Sequence, residues 1–302
     1  MRIISLLPSA TEICFALGLS DELVGVTHEC DYPSAALVKP KITKSKAKEQ
    51  LSSADIDSLV RSQLDETGSI YELDLDALEY LKPDLILTQR LCTVCAVTYD
   101  YVAEQALKIS TKPSVVNLEP RTLDEVFDSI MEVGRLTGKE NAGEYVSTLR
   151  KRVDEISNEV RQLTKRTVLF LEWADPPFAS GHWIPELIEM GGGINTKSFK
   201  HSPSRQISWQ DVNEAKAEVI VLAECGFGVE RQLQDAEILV RNLNYKPKEI
   251  WIADGSQYFS RPGPRLVESR EILAGILHPE IRDKILHEYI ARGEVQLIKI
   301  AS

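Results

Sequence analysis

The sequence predicts an α/β protein of two Rossmann-like lobes, each built on a parallel sheet, joined by a long backbone helix. Three observations carry that expectation. Short β-branched runs alternate with helical patterns over residues 3–118, as parallel strands with crossover helices do. The same alternation restarts at Thr167. Between them, residues 122–165 keep a helical period with high charge and no proline. The chain therefore divides into an amino-terminal α/β lobe over 1–121, a helical segment over 122–165 and a carboxy-terminal α/β lobe over 166–302.

In order, residues 3–7 read as a buried strand. Ser9 reads as an N-cap with Glu12 closing a capping box ahead of Ile13, Phe15 and Leu17, and Gly18 stops that helix. A strand over 23–27 follows, then helices over 54–64 and 75–81, the second ended by Pro83. A strand over 84–88, a helix over 96–109 and a strand over 114–118 complete the lobe. The helix over 140–164 would extend about 37 Å at about 1.5 Å per residue. It carries Tyr145, Leu149, Val153, Ile156, Val160 and Leu163 as one apolar stripe. The second lobe reads as a strand over 167–173 and helices over 185–190 and 209–216. A strand over 219–223, a helix over 229–243, a strand over 249–253 and a helix over 264–277 follow. In both lobes the strands feed loops at their carboxyl ends, where open α/β sheets place ligands, so two such edges facing one another would form a cleft.

Charge excludes one class of partner. With 35 basic against 46 acidic residues the net charge is -11, and phosphate neutralisation by a nucleic-acid binder needs a clustered basic surface. The longest apolar runs, over 168–171 and 219–223, are far shorter than the roughly 20 residues needed to span a bilayer, so no membrane insertion is expected. The apolar stretch after Met1 is too short for a signal-peptide core, and a cytoplasmic location is expected. Five cysteines, an odd number, do not make a disulfide framework; in a reducing compartment they would serve as ligands, redox centres or core residues.

Five loops concentrate the chemistry. Thr27-His28-Glu29-Cys30-Asp31-Tyr32-Pro33 directly follows a strand, and turn chemistry alone explains Asp31 and Pro33. In it His28 or Cys30 suits a metal, and Tyr32 suits stacking on a ligand. Leu91-Cys92-Thr93-Val94-Cys95 precedes a helix whose N-terminus would favour a thiolate at Cys95. A single Cys-x-x-Cys is only moderately specific: it suits a metal or a redox couple, and buried small side chains are the plain alternative. The stretch over 171–185 joins Trp173, Asp175, two prolines, Phe178, His182 and Trp183 at a strand end, a composition that suits a large planar ligand. There Trp173, still on the strand, is expected in the core and Trp183 at the ligand, with His182 a polar or axial contact. Glu224-Cys225-Gly226-Phe227-Gly228 and the segment 254–265, containing Tyr258, Arg261 and Arg265, complete that edge, and its helix start suits an anionic group such as a phosphate. No nucleophile elbow, Walker motif or metalloprotease helix is present, so catalysis has no direct support.

Taken together, the run 5–12 (Ser-Leu-Leu-Pro-Ser-Ala-Thr-Glu), the Asp31-Tyr32-Pro33 turn, Pro83-Asp84-Leu85-Ile86-Leu87 and Tyr258-Phe259-Ser260-Arg261-Pro262-Gly263-Pro264 resemble the cobalamin-binding branch of the periplasmic-binding-protein superfamily. The cysteine-rich loop, with His28 and Cys30, resembles a cytosolic-type subgroup. The resemblance implies a class III substrate-binding-protein-like fold and a corrinoid, or a similar bulky ligand, held without catalysis between the lobes. It implies ligand contacts from Pro8, Ser9, Tyr32, Asp175, Phe178, His182, Trp183, Phe227, Tyr258 and Arg261, with Tyr32, Phe178 and Trp183 apolar against the ligand. His182 or His28 would supply an axial nitrogen, and Arg261 would meet the nucleotide-loop phosphate. Exported members hand their ligand to an ABC permease. The alternative is a cytosolic metal- or thiol-dependent enzyme or sensor using His28, Cys30, Cys92 and Cys95 with zinc or iron.

Overall fold

A computed structural model describes residues 1–45, 52–67, 71–90 and 99–298. Cys92 and Cys95 lie outside the described residues. The chain forms two compact units, Met1–Pro120 with Asp124–Ser147, and Arg121–Leu123 with Thr148–Ser302.

The first unit runs β1 (Ile3–Ser5), α1 (Pro8–Ala16), β2 (Leu23–Val26), β3 (Thr43–Ser45), α2 (Ser53–Thr67), β4 (Tyr71–Leu73), α3 (Leu75–Leu81), β5 (Leu85–Thr88), α4 (Tyr99–Ala106) and β6 (Ser114–Asn117). Its sheet has the order β2-β1-β5-β6 and is parallel throughout, in agreement with the sequence. β3 and β4 form a separate antiparallel pair that periodicity does not reveal. The core joins Ile4, Leu6 and Ile86 of the sheet region to Ile42, Leu78, Leu81 and Val102. The capping box expected at Ser9 is not formed. Leu7 is the N-cap without a side-chain bond and Pro8 takes the first turn, where its fixed φ and missing N–H are at no disadvantage, so Ser9 and Glu12 are drawn inside the helix and buried. α3 instead has a working cap: Asp74 accepts from Ala77 N–H at 2.9 Å, and Lys82 ends the helix at φ 47 ahead of Pro83.

α5 (Leu123–Thr137) and α6 (Ala142–Val160) follow. The helix expected over 140–164 is thus shorter, with 19 residues, because a turn from Leu163 N–H to the Val160 carbonyl closes its end at 3.0 Å. The division between the units falls inside α6.

The second unit continues β7 (Arg166–Ala174), β8 (Pro177–Ala179), β9 (Gly181–His182), α7 (Ile184–Met190), β10 (Gly193–Asn195), β11 (Phe199–Lys200), β12 (Arg205–Gln206), α8 (Trp209–Glu214), β13 (Val219–Leu222), α9 (Val229–Asn242), β14 (Glu249–Ala253), α10 (Leu266–Leu277), α11 (Pro279–Ala291) and β15 (Val295–Ile298). Its sheet has the order β12-β8-β7-β13-β14-β15, with β10 also on β7. β7, β13 and β14 are mutually parallel, and every residue of β13 is buried, as a strand covered on both faces requires. β8 and β15 join antiparallel, and the edges of the sheet are β12, antiparallel to β8, and β15. α11 and β15 lie beyond the last element the periodicity predicts.

Three buried or half-buried guanidiniums, Arg166, Arg270 and Arg282, organise the rest of this unit. At the amino edge of the sheet, Arg166 Nη1 lies 3.1 Å from Glu249 Oε1 and Arg282 Nη2 lies 2.6 Å from Oε2. Arg270, fully buried, donates from Nη2 to Ser157 Oγ at 2.8 Å and to the Met190 carbonyl at 2.9 Å, joining α6, α7 and α10. Burial draws its pKa down to about 10.

Candidate functional site

The carboxyl ends of β7, β13 and β14 share one edge of the second sheet, because the three strands are parallel and adjacent. From β7, Trp173 pairs in register with Phe178 of β8 around the Asp175-Pro176 turn, which places the two aromatics on one face. The Trp173 indole N–H donates to the Asp175 carbonyl at 3.0 Å. From the β13 loop, the Phe227 ring lies 5.1 Å from that of Trp173 at 31°, and the Arg231 guanidinium of α9 stands 4.7 Å from the Phe227 centroid. Trp173, Phe178 and Phe227 are partly exposed. They form an aromatic ledge backed by a cation.

Backbone bonds tie the three loops together. Cys225 N–H donates to the Glu172 carbonyl at 3.2 Å, and Gly255 and Ser256 N–H both donate to the Phe227 carbonyl, at 3.1 and 3.2 Å. Buried Gln232 accepts from Glu224 N–H at 2.8 Å and donates to the Ala253 carbonyl at 2.9 Å. Asp254 opens the turn Gly255–Phe259 by accepting from Gln257 N–H at 2.7 Å; burial raises its carboxyl pKa against the lowering effect of those bonds. Gly255 is required by close approach. A Cβ there would stand 2.0 Å from the Glu224 carbonyl oxygen, so Gly255→Ala must part the β13 and β14 loops. This substitution is expected to cost about 1–3 kcal/mol of unfolding free energy, read in denaturant melts, and an unchanged midpoint would contradict the packing described.

The expected contacts sort into two groups. Asp175, Phe178 and Phe227 gather around Trp173, as described. Trp183, expected at the ligand, is instead buried at 5% exposure, its indole N–H taken by the Phe259 carbonyl at 2.9 Å. Trp173, expected in the core, is the one on the ledge. The two differ in burial because Trp183 sits at the start of α7 with its indole turned inward, whereas Trp173 lies at the carboxyl end of β7, where the sheet meets its loops. Tyr258 is also interior: its hydroxyl donates to Glu294 at 2.8 Å and its ring meets Tyr289 edge-on. Arg261 is buried at 8% exposure, with Nη2 donating to Ser256 Oγ at 3.2 Å, and so supports the loop. His182, half-buried, stacks on Trp183 at 5.4 Å and holds φ 50, an uncommon conformation for a residue other than glycine. Burial, then the charge of Arg121, lowers its pKa, so the imidazole is neutral near pH 7.

On the first unit, Pro8 and the Thr27–Tyr32 loop lie at the carboxyl ends of β1 and β2, and Tyr32 is 46% exposed. Ser9 is buried. His28 Nδ1 is 2.7 Å from Thr43 Oγ1 and its Nε2 is 3.1 Å from Glu29 Oε1. Cys30 is buried with its Sγ 3.0 Å from Thr11 Oγ1. Among the described residues no group of three or more His, Cys, Asp or Glu side chains is placed to hold a metal ion, so the expected metal centre has no support there. Sequence reasoning missed Arg231, whose only signal is its spacing of four from Phe227 across the start of α9.

Residues 3–243 match the periplasmic binding protein family. The chain belongs to this family. It is 24% identical over 277 residues to the vitamin B12-binding protein of Vibrio cholerae serotype O1, covering 89% of this chain and 86% of the relative. Among solved structures, the periplasmic vitamin B12 binding protein of Vibrio cholerae superposes with a TM-score of 0.65 at 22% identity, covering 90% of this chain and 94% of that one. A periplasmic heme binding protein from Pseudomonas aeruginosa superposes with a TM-score of 0.70 at 15% identity, covering 92% of each. Family membership overturns the cytoplasmic expectation and points to the periplasm. No helix among the described residues is long and apolar enough to cross a membrane.

Proposed function

We propose that this periplasmic binding protein is a non-catalytic carrier of a corrinoid, and that the carboxyl edge of its second unit is a recognition surface for that ligand. The observation that carries the reading is the Trp173–Phe227 pair, with Phe178 beside it, in a chain whose relatives include vitamin B12-binding proteins. Rigid aromatic faces bind a broad ring system at low entropic cost. In this reading Asp175 accepts from the polar rim of the ligand, and the neutral imidazole of His182 supplies an axial nitrogen. Tyr32 and Pro8 serve in the same way at the edge of the first unit. Trp183, Tyr258 and Arg261 support the loops from beneath. An ABC permease is the partner to which the ligand is handed, in keeping with solved neighbours that include an ABC transporter substrate-binding protein from Listeria monocytogenes.

The heme binding protein among the structural neighbours supports a second reading, a porphyrin in place of the corrin, and His182 suits either metal. Titration at micromolar protein with hydroxocobalamin, and in parallel with hemin, tests both. A shift of the corrin absorption bands with calorimetric heat is expected for the first. Heat and a Soret shift with hemin alone would transfer the assignment to the second, and no response to either would overturn the carrier reading.

A further inference from the structure

Beneath the aromatic ledge lies an acid pair that ligand contact leaves unused. Glu224 is fully buried and Asp235 is 4% exposed. Glu224 Oε1 accepts from Ala174 N–H, the last residue of β7, at 2.9 Å. Among the described residues no donor reaches Glu224 Oε2, and the carboxyl faces Asp235. Arg231 Nη1 meets Asp235 Oδ2 at 2.9 Å, and this is the guanidinium that stands over Phe227. Two buried carboxyls served by one half-buried guanidinium balance in charge only if the acids hold one proton, and an oxygen with no donor in reach, facing a carboxylate, is where that proton belongs.

The surrounding charges do not alter this balance. On α9 the facing groups are Asp235 and Arg231. At the end of β14, Asp254 is occupied by Gln257 and lies near Arg261. After β7, Glu172 accepts from Gly181 N–H at 2.8 Å, and Asp175 is on the turn. On the β13 loop itself, Cys225 is exposed.

We infer that Glu224 and Asp235 share one proton, and that this protonated pair positions Arg231 and, through it, the Phe227 face, so that ligand binding at this edge is proton-linked. With the proton in place, Asp235 takes one hydrogen bond from Glu224 and one ion pair from Arg231. Without it, two buried carboxylates compete for Arg231, drawing the guanidinium off Phe227 and loosening the ring against Trp173. Burial, then Asp235, pushes the Glu224 carboxyl up to about 9, which places the loss in mildly alkaline solution. Glu224 and Arg231 act here as positioning residues. The part concerning affinity rests on the carrier reading; the part concerning the ledge does not.

The test uses the whole protein in a Cys225→Ser background, which removes the exposed thiol next to Glu224. Ligand-free fluorescence of Trp173, taken as the difference from a Trp173→Phe derivative, is followed from pH 6 to 10.5 beside the dissociation constant for hydroxocobalamin. The expected result is a fluorescence transition within about one unit of pH 9, with affinity about tenfold weaker above it. Glu224→Gln, neutral at every pH, is expected to abolish the fluorescence transition and with it the tenfold loss of affinity, leaving only the pH dependence that the cobalt-bound water of the ligand itself imposes. A transition that survives Glu224→Gln, or none in the background, overturns the inference. A transition that vanishes in Glu224→Gln while neither hydroxocobalamin nor hemin binds keeps the shared proton and removes the carrier reading instead. Should Glu224→Gln fail to fold, carboxyl NMR of protein labelled with ¹³C-glutamate decides: one glutamate still protonated at pH 7 supports the pair, and none overturns it.

Discussion

Glu249→Ala is expected to lower the unfolding free energy by about 3–5 kcal/mol, because it strands two partly buried guanidiniums at once. Arg166 and Arg282 approach separate oxygens of Glu249, and their side chains are only 11% and 19% exposed. The same carboxylate accepts from the Trp251 indole N–H at 2.7 Å, and Trp251 is itself buried beneath the Arg282 guanidinium. Removing the acid therefore leaves positive charge without a counter-ion and a buried donor without an acceptor. Glu249→Gln, which retains one acceptor but no charge, is expected to cost about half as much. Guanidinium unfolding followed by circular dichroism measures both, and a loss below about 1 kcal/mol for the alanine variant would refute the account. Because this network lies at the amino edge of the sheet, the folded fraction should keep its affinity for ligand.

Trp173→Ala should weaken hydroxocobalamin binding by about thirtyfold or more, the scale of a central aromatic anchor at about 2 kcal/mol. The indole faces Phe227 in register with Phe178, so its loss removes the middle of the ledge. Trp183→Phe gives the opposite pattern. Its indole N–H bond to the Phe259 carbonyl is interior, so stability should fall by about 1 kcal/mol while affinity changes less than threefold. Calorimetric titration of both variants beside their melts distinguishes the roles. Equal effects on affinity would show that the two tryptophans are not divided between ledge and core.

Much of the architecture was legible because it rests on short-range physics. The central strands β5, β13 and β14 are continuous apolar runs, and α3 carries its own cap and a Pro83 stop, so their places follow from the residues themselves. The Ser9 capping box failed for a local reason as well: Pro8, one residue earlier, offers a competing start. The minor strands β8 to β12 escaped notice because two or three residues hold no period; they exist only where the long strand β7 presents an edge or loops run side by side. The cytoplasmic expectation is of a different kind, since the compartment leaves little trace in the periodicity of a folded domain, and it was corrected by kinship.

The candidate site divides along the same line. Residue types alone determined that the second half ends its strands in loops rich in aromatics, glycine and charge, since such loops follow from where buried runs stop. Only the tertiary structure decided that Trp173 faces outward while Trp183, Tyr258 and Arg261 turn inward, and that Arg231 comes under Phe227 with two acids behind it. The reason is that exposure and charge pairing depend on which distant atoms fill the space around a side chain, and a linear string of residues holds no record of its neighbours across the fold.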